Sequence, residues 1–317
     1  MKISIITAFY RGNRYMEQYV KCIQENQKNM KSQDELEVIL VNDSPEEEIQ
    51  LPEWALALPI RVCPQEKNGG IHSARVRGLE ECQGEYVMFL DQNDLLEGDA
   101  IAKHIARITE WRENLAGVNT GGSSVLGTGL GDLIMNPVSV SNVKLEQKDG
   151  SALLWYRSQF HKKKVGDYKT YLKVGVQIIS PGQCLVPRIL VPKLWRTKIC
   201  KSNGSDDYYL WLLLLARRVP FLLVDEPLYI HKYTGENLSA DTKNTDASTY
   251  EFLEYLQQDE FVSKKDVELL RRLTQYKDRF RRGNAGEKMI STIKNIDIFL
   301  PNFIFKLRSK TPYGFNR

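Results

Sequence analysis

Hydrophobic positions in the first hundred residues alternate between two spacings. Continuous apolar runs rich in β-branched residues predict four strands, over residues 3–10, 36–41, 60–63 and 86–90. Between them, apolar residues recur every three or four positions, which predicts helices over residues 15–23 and 74–82. Strands that are apolar on both faces are typical of a parallel sheet covered by helices. The pattern therefore predicts an α/β fold with a mostly parallel central sheet flanked by helices.

The rest of the chain is less regular. Residues 120–151 are rich in Gly, Ser, Asn and Asp, which predicts loops and a hairpin, and residues 221–224 read as another buried strand. From residue 245 onward the periodicity predicts helices, with Asp246 or Ser248 as the first N-cap. We therefore expect an α/β domain over residues 1–240 and a mainly helical extension over residues 241–317.

Composition and charge narrow the class of protein. Hydrophobic residues make up 42% of the chain and charged residues 26%, which excludes a disordered or fibrous protein. The five scattered cysteines and the lack of a signal peptide or a membrane span favour a cytoplasmic protein with reduced thiols. The net charge of +4 is uneven: residues 262–317 carry +9 and the remainder carries −5. This asymmetry indicates an anionic partner for the C-terminal part, although we expect no nucleic acid.

Polar residues follow three of the predicted strands. The first strand runs into Thr7–Arg11, the second ends at Asp43, and the fourth ends at residues 91–94 (DQND). The carboxyl ends of parallel strands meet at one edge of a sheet, where ligands bind. Carboxylates there can accept hydrogen bonds from a nucleobase or a ribose, or hold a divalent cation against a diphosphate. For Asp43 alone, ordinary turn chemistry explains the residue equally well.

Two further stretches have both a structural and a chemical interpretation. Residues 67–75 form a glycine turn that leads into a helix. The backbone N–H groups of this helix start suit a phosphate. Alternatively, the stretch is a glycine-rich loop with Ser73 as the N-cap. In the second stretch, Ser205 caps a helix with Asp206 and Asp207 in its first turn. A carboxylate at such a helix start can also serve as a general base. The spacing alone leaves both alternatives open.

Together these stretches resemble the family 2 glycosyltransferases, which have the GT-A fold. The resemblance covers residues 2–239 and rests on five stretches in order: the opening strand with Tyr10, VNDS at Asp43, NGGIHSAR, FLDQND and SDDYYLWL. It implies an inverting transferase of bacterial polysaccharide synthesis. The donor would be a nucleoside-diphosphate sugar, commonly UDP-linked, and the acceptor a hydroxyl of a saccharide or lipid-linked saccharide.

The resemblance also implies roles for particular residues. The resemblance assigns the contacts with the nucleotide sugar to Thr7, Phe9, Tyr10, Asp43, Asn68, Gly70, Arg75, Asp91 and Gln92. Asp207 matches the general base, with Asp206 as its acidic neighbour. Gln183, Asp206 and Trp211 fall near the donor-sugar or acceptor pocket. Asp91 and Asn93 match the residues that hold Mn²⁺ or Mg²⁺.

Two departures from the family pattern bear on the metal. The position of Asn93 usually carries Asp, and an amide ligates a cation without contributing charge. Many relatives also carry a late His, where this sequence has Thr234; His231 lies three residues earlier and either replaces it or is an ordinary strand residue. Both departures predict loose metal dependence. They also leave open the alternative that the protein is a non-catalytic relative, which binds nucleotide sugars and acts as a scaffold. A nucleotidyltransferase is a third alternative, but the loop after the first strand lacks its GxGTR-like pattern.

The C-terminal tail has an apolar repeat of its own. Apolar residues recur three or four apart over residues 293–307, among basic residues, and Pro301 is expected to interrupt any single helix there. The apolar face either packs back on the α/β domain or rests on an anionic membrane surface. In the second case the protein lies at the inner face of the membrane, beside a lipid-linked acceptor.

Overall fold

The predicted apolar runs form the strands at the centre of the structure. The computed structural model describes residues 1–119, 128–147, 149–232 and 241–311. Its strands are β1 (Lys2–Phe9), β2 (Glu35–Asn42), β3 (Ile60–Pro64), β4 (Tyr86–Phe89), β5 (Leu95–Leu96), β6 (Val138–Glu146), β7 (Ala152–Leu154), β8 (Cys184–Pro187) and β9 (Phe221–His231). The first four lie within one residue of their predicted bounds. β9 is longer than predicted because it continues through Pro227. Its pairing with β6 shifts register on both sides of Asn142, which lies opposite Pro227.

The strands form one mixed sheet in the order β3-β2-β1-β4-β8-β6-β9-β5, with β7 paired to β6. β3, β2, β1 and β4 are parallel, in a register that sets Ile5 beside Val38 and Met88. β8 runs antiparallel to both β4 and β6, while β9 runs parallel to β6. β6 and β7 form the hairpin predicted in the glycine-rich region. The predicted α/β fold class is confirmed, and its parallel half brings the ends of β1, β2 and β4 to one edge.

Helices cover the sheet and form the C-terminal part. They are α1 (Met16–Asn29), α2 (Gly70–Glu81), α3 (Ala100–Asn119), α4 (Thr128–Met135), α5 (Gln159–Lys162), α6 (Tyr168–Lys173), α7 (Lys193–Thr197), α8 (Asp206–Ala216), α9 (Thr242–Leu256), α10 (Lys264–Arg282), α11 (Ala285–Lys294) and α12 (Ile296–Ser309). α8 is apolar almost all round, and its residues from Tyr209 to Leu215 are buried. A helix with this composition needs cover on every side.

The C-terminal extension supplies part of that cover. Phe252 of α9 stacks on Tyr209 of α8 with ring centroids 5.6 Å apart. Asn302 of α12 donates a 2.6 Å hydrogen bond to the carbonyl of Lys173 at the end of α6. The extension is thus packed on the α/β part. The predicted domain boundary at residue 240 adjoins residues outside the described ranges and stays a prediction.

Two predicted helix caps were wrong. α9 begins after Asp241, whose carboxylate accepts from the N–H groups of Lys243 and Asn244, and not after Asp246 or Ser248. Ser205 does precede α8, but its hydroxyl bonds the carbonyl of Thr245 and the hydroxyl of Thr249 instead of capping α8. Ser205 is engaged by contacts between α8 and α9 that the local sequence does not contain, whereas the Asp241 cap is a local contact that the periodicity did not locate.

The tail breaks at Asn295 and not at Pro301. Asn295 leaves the helical region, with φ −124° and ψ 40°, and its side chain returns a hydrogen bond to the carbonyl of Ser291. Pro301 lies inside α12, where it removes only one backbone donor. Ile298 and Phe305, on the inner side of the same helix, are buried.

All five cysteines are buried and unpaired, as predicted for reduced thiols. Within the described ranges, no helix is both long enough and apolar enough to cross a membrane.

Candidate functional site

A cavity of about 660 Å³ lies at the sheet edge where β1, β2 and β4 end. We call it the larger cavity. Most of the predicted site residues border it, namely Tyr10, Asp43, Asn68, Gly70, Arg75, Asp91, Gln92, Asn93, Asp206 and Asp207. The expectation that polar residues after three separate strands converge at one edge is met.

Arg75 of α2 ties the two sides of the larger cavity together. Its side chain is almost fully buried, and its two terminal nitrogens each make a 2.7 Å ion pair, one with Asp91 after β4 and one with Asp206 of α8. Burial raises the pKa of a carboxyl group, but at Asp206 the Arg75 guanidinium outweighs burial and lowers the pKa. At Asp91 burial prevails over Arg75 and raises the pKa, with help from the nearby Asp94. One planar guanidinium thus orients two carboxylates, which an ammonium could not do.

A second chain of contacts fixes the start of α8. The indole N–H of Trp195 in α7 donates to the carbonyl of Asp206 at 2.8 Å. His72 of α2 lies 3.0 Å from the carbonyl of Trp195 through Nε2, while its Nδ1 accepts from the N–H of Cys200 at 3.0 Å. Because Nδ1 accepts a hydrogen bond, the ring proton lies on Nε2, which donates to Trp195; burial also lowers the pKa of His72. The first turn of α8 is therefore held against α2 by both a charged and a neutral network.

Asp207 is the partly buried carboxylate of this turn that borders the larger cavity. Burial, followed by repulsion from the Asp206 charge, raises the pKa of Asp207 to about 7. The hydrogen bond that one of its carboxylate oxygens accepts from the N–H of Tyr208, at 2.7 Å, opposes the rise. A carboxyl group with a pKa near neutrality suits general-base catalysis, because about half of it is deprotonated at neutral pH and the deprotonated form is still basic.

Asp43 organises the glycine turn before α2. One carboxylate oxygen accepts from the N–H of Gly69 at 2.6 Å and from the side chain of Gln65 at 2.7 Å. The other accepts from the N–H of Gly70 at 3.1 Å, and Gly70 has a φ of +81° that favours glycine. The next amide, that of Ile71, donates to the side chain of Asn203 at 3.2 Å. These amides already have acceptors, so the expected phosphate at this helix start is not supported.

The alternative interpretation of the same turn also needs correction. α2 begins at Gly70, four residues before the predicted start, and Ser73 lies inside its first turn. Asn68, which precedes the turn, donates to the carbonyl of Asp43 at 3.0 Å. The N-terminal donors of α2 are thus satisfied by strand-end residues, and Ser73 caps nothing.

Tyr10 and Gln92 close the space between β1 and β4. The Gln92 amide accepts from the N–H of Tyr10 at 2.9 Å and donates to the carbonyl of Tyr10 at 3.0 Å. The Tyr10 ring is 44% exposed at the cavity mouth. This reciprocal pair fixes an aromatic face where a nucleobase can stack.

Four of the predicted site residues lie in the core and not on the cavity. Thr7 and Phe9 are buried, and the Thr7 hydroxyl bonds Tyr19 of α1 at 2.7 Å. Gln183 is buried in a capping box with Ser180, and Trp211 packs edge-on against Phe221. The positions of Thr7 and Phe9 follow from the alternation of side chains along a strand. Both lie on the face of β1 opposite to Ala8 and Tyr10, which border the cavity.

The donor set for a divalent cation is incomplete. Asp91 is engaged by Arg75 and by the hydroxyl of Ser180 at 3.2 Å. Asp94 is buried and accepts from the hydroxyl of Tyr229, from His231 at 3.0 Å and from the N–H of Lys232 at 2.8 Å. In the described part of the chain, no three His, Cys, Asp or Glu residues form a group that could hold a metal. The residues fit a tightly bound cation poorly. Thr234 lies outside the described residues.

Several residues on the larger cavity were not assigned to the site from the sequence. Arg11, Arg14 and Tyr15 follow β1, and Asn203 reaches the cavity from the loop before α8. Ser180 also borders it, in the turn over residues 180–183 that the family resemblance places near the donor-sugar or acceptor pocket. Arg11 is paired with Glu46 at 2.9 Å and has a left-handed backbone, with φ +47°. The basic stretch directly after the first strand was the signal available in the sequence, since cations there face any bound anion.

A smaller cavity of about 240 Å³ adjoins the larger one. Asp207, Ile179 and Gly204 border both cavities. The smaller cavity is walled by the loop before β8 on one side and by α9, α10 and α12 on the other. Asp207 therefore stands on the partition between two spaces.

Known proteins share this sequence pattern and this architecture. A family described as Glycosyl transferase family 2 matches residues 4–153. The minor teichoic acid biosynthesis protein GgaB of Bacillus subtilis is 34% identical over 96 residues, which cover 29% of this chain. The aligned stretch is only 10% of that protein's length.

Solved structures agree with the fold. Residues 1–349 of S. aureus TarS in complex with UDP-GlcNAc match 94% of this chain and 81% of that chain, with a TM-score of 0.58 and 13% identity. The UDP complex of the same protein matches 89% of this chain and 73% of that chain, with a TM-score of 0.56. At this identity the likeness is one of fold, and it confirms the predicted architecture.

Replacing Arg75 tests the central ion pairs. We expect Arg75→Met to lower the free energy of unfolding by about 3–5 kcal/mol, because the buried Asp206 and the partly buried Asp91 lose their shared partner. Arg75→Lys should recover only part of this loss, since one ammonium cannot bridge both groups. Chemical denaturation measures the effect.

Arg77 supplies the matched control on the same helix. Its side chain is 42% exposed and pairs with Glu80 and Glu81 of the same helix. Arg77→Met should change stability by less than about 1 kcal/mol. Equal effects of the Arg75 and Arg77 substitutions would show that the buried bridge does not stabilise the fold.

Proposed function

We propose, from the match of residues 4–153 to the family described as Glycosyl transferase family 2, that the protein transfers a sugar from a nucleoside-diphosphate donor to an acceptor hydroxyl with inversion. The observation that carries the proposal is the position of Asp207. It is a carboxylate with a pKa near 7 on the partition between two cavities, beside the carboxylates bridged by Arg75. The donor would occupy the larger cavity and the acceptor the smaller one.

The larger cavity offers complementary groups for a nucleotide. Tyr10 provides an aromatic face, and Asp43 lies deeper, where its less engaged oxygen can accept from a base N–H. Arg11, Arg14 and His231 are the basic groups on its wall besides Arg75. We assign them to the diphosphate, whose negative charge grows as the sugar leaves. The solved complexes of TarS with UDP and UDP-GlcNAc support a UDP-linked donor.

The proposed reaction is a single displacement. Asp207 takes the proton of the acceptor hydroxyl while the oxygen of that hydroxyl forms a bond to the anomeric carbon of the donor sugar. The bond from that carbon to the diphosphate oxygen breaks, and the nucleoside diphosphate leaves with the electron pair. A base reached from both cavities suits this geometry, because the acceptor must approach the carbon from the side opposite the leaving group.

Asp207→Asn should abolish transfer and preserve donor binding. An amide cannot take a proton, so we expect transfer to fall by about 10²–10⁴-fold while UDP affinity stays near that of the wild type. Radiolabelled sugar transfer and UDP calorimetry measure the two quantities. Transfer within tenfold of wild type would exclude Asp207 as the base.

The pH profile of the wild type gives a second readout of the same group. Because only deprotonated Asp207 accepts a proton, kcat/KM should fall as the pH drops below about 7. A profile that is flat between pH 6 and pH 8 would argue against this base. A wild type that binds UDP-sugar but never turns it over would instead favour a nucleotide-binding scaffold.

A divalent cation, if used, would bind loosely beside Asp91 and Asn93. It would supply positive charge to the departing diphosphate, as in metal-assisted transfer. Asn93→Asp adds a charged ligand, so we expect the Mn²⁺ or Mg²⁺ concentration for half-maximal rate to fall roughly tenfold. The same change at Asn29, an exposed residue of α1, is the control. An unchanged metal response in Asn93→Asp would remove Asn93 from the cation site.

We also propose that the tail rests on an anionic membrane surface. The outer side of α11 and α12 carries an exposed apolar stripe: Met289, Ile290, Ile293, Ile296, Leu300, Phe303, Ile304 and Leu307. Exposed basic residues flank this apolar stripe, among them Lys294, Arg308 and Lys310. The inner side of α12 packs on α5 and α6 at the same time. The two interpretations of the tail are therefore compatible, since they concern opposite faces.

Liposome binding tests this surface. The intact protein should bind vesicles that contain phosphatidylglycerol, and salt should weaken binding, because each basic residue contributes about 1 kcal/mol near an anionic surface. The double substitution Ile293→Gln with Leu307→Gln should reduce binding. Leu56→Gln with Ile189→Gln is the matched control, since those residues are equally exposed elsewhere (71% and 78%). Equal binding by both double variants would contradict the apolar stripe as the contact.

A further inference from the structure

The chain reaches Asp207 through an irregular segment, residues 200–205, which we call the approach loop. Its first three backbone N–H groups donate to side chains of other elements. The first of them donates to His72 of α2, and the next two donate to Glu251 of α9. Side chains of α2 and α9 therefore decide where the approach loop lies.

Glu251 makes most of these contacts. One of its carboxylate oxygens accepts from the N–H of Lys201 at 2.5 Å. The other accepts from the N–H of Ser202 at 3.2 Å and from the hydroxyl of the same residue at 2.7 Å. Hydrogen bonds to a charged group are stronger than neutral ones, and here a single carboxylate receives three. Glu251 thus attaches the start of the approach loop firmly to α9.

The other end of the approach loop also lies against α9. The Ser205 hydroxyl bonds the carbonyl of Thr245 at 3.0 Å and the hydroxyl of Thr249 at 2.9 Å. Gly204 has a φ of +112°, and a Cβ at this position would lie only 2.8 Å from the Thr245 hydroxyl oxygen. The chain therefore passes so close to α9 that only glycine fits there without strain.

The opposite side of the approach loop meets the larger cavity. Asn203 borders this cavity, and its side chain accepts from the N–H of Ile71 in α2 at 3.2 Å. The first turn of α8, with Asp206 and Asp207, follows directly. Because the approach loop is held from both sides, a change in its contacts with α9 is passed on to the proposed base.

We propose that Glu251 is a positioning residue for sugar transfer, which fixes the approach loop and through it the carboxylate of Asp207. The inference rests on the proposed function, because it takes Asp207 as the general base. A misplacement of about 1 Å, caused by a change far from the chemistry, costs about 100-fold in rate. Glu251 belongs to the helical extension, beyond residues 4–153 that match the glycosyl transferase family. The extension thus serves catalysis as well as covering α8.

Glu251→Ala tests this role by separating turnover from binding. We expect kcat for sugar transfer to fall about 10- to 100-fold, because the base is no longer held in place. The KM for the donor and the affinity for UDP should stay near those of the wild type, since Glu251 borders neither the larger nor the smaller cavity. The radiolabelled transfer assay and UDP calorimetry measure these quantities. Glu251→Gln keeps one oxygen acceptor for the approach loop, so it should lose less activity than Glu251→Ala.

Glu254→Ala is the matched control on the same helix. The Glu254 side chain is 58% exposed and pairs with Arg271 of α10. This substitution removes a carboxylate from α9 without touching the approach loop, so kcat should stay at the wild-type value.

Hydrogen exchange follows the approach loop without any turnover. In Glu251→Ala the amides of Lys201 and Ser202 lose their acceptor, so peptides that cover residues 200–209 should exchange faster. Peptides from α10 should keep their protection, which shows that the variant is folded. Should Glu251→Ala not fold, Glu251→Gln takes its place, with the same faster exchange and a smaller fall in kcat as the expected result.

Three outcomes would overturn the assignment. Glu251→Ala could keep the kcat of the wild type, or exchange over residues 200–209 could stay unchanged. Its UDP affinity could also fall as much as its kcat, which would indicate general damage to the site. The proposed reaction is judged separately: if Asp207→Asn abolishes transfer and Glu251→Ala does not, the base stands and the positioning role is rejected. If Asp207→Asn retains transfer, the proposed reaction fails whatever Glu251→Ala does.

Discussion

The buried guanidinium of Arg75 is the contact on which the rest of the site depends. Its two ion pairs join the end of the parallel sheet at Asp91 to the first turn of α8 at Asp206. These elements come from distant parts of the chain, and the buried Asp206 keeps a lowered pKa because Arg75 opposes the effect of burial. At the adjacent Asp207 burial raises the pKa most and the Asp206 charge adds to the rise, while Arg75 itself opposes it. One buried cation thus joins the two walls of the site and holds a charged Asp206 beside the proposed base.

Much of the fold and part of the site could be predicted from local sequence. The strands follow from continuous apolar runs, and their parallel arrangement brings Asp43, Asp91 and Asn93 to one edge. Asp206 and Asp207 were recognisable as a helix start whose carboxylates could serve in catalysis. Local patterns are sufficient for these features because strand ends and helix starts are themselves local.

The misplaced residues show where local reasoning stops. Thr7 and Phe9 were assigned to the cavity with Tyr10, but strand alternation turns only every second residue toward it. The Ser205 hydroxyl bonds residues of α9 instead of capping α8, and the Arg75–Asp206 pair joins residues 131 positions apart. Periodicity reports which residues are buried, but it does not report which partner buries them.

The extension places two surfaces on opposite sides of a single helix. The inner side of α12 borders the smaller cavity through Asn302, Phe305 and Lys306, while its outer side carries Leu300, Phe303 and Leu307 of the apolar stripe. A helix with its side chains is about 10–12 Å thick. An acceptor anchored in a lipid leaflet against the outer side therefore has to span roughly that thickness to bring its reactive end to Asp207. In the proposed membrane-bound arrangement the helix would act as a spacer, and its width would select acceptors by the distance between their anchor and their reacting hydroxyl.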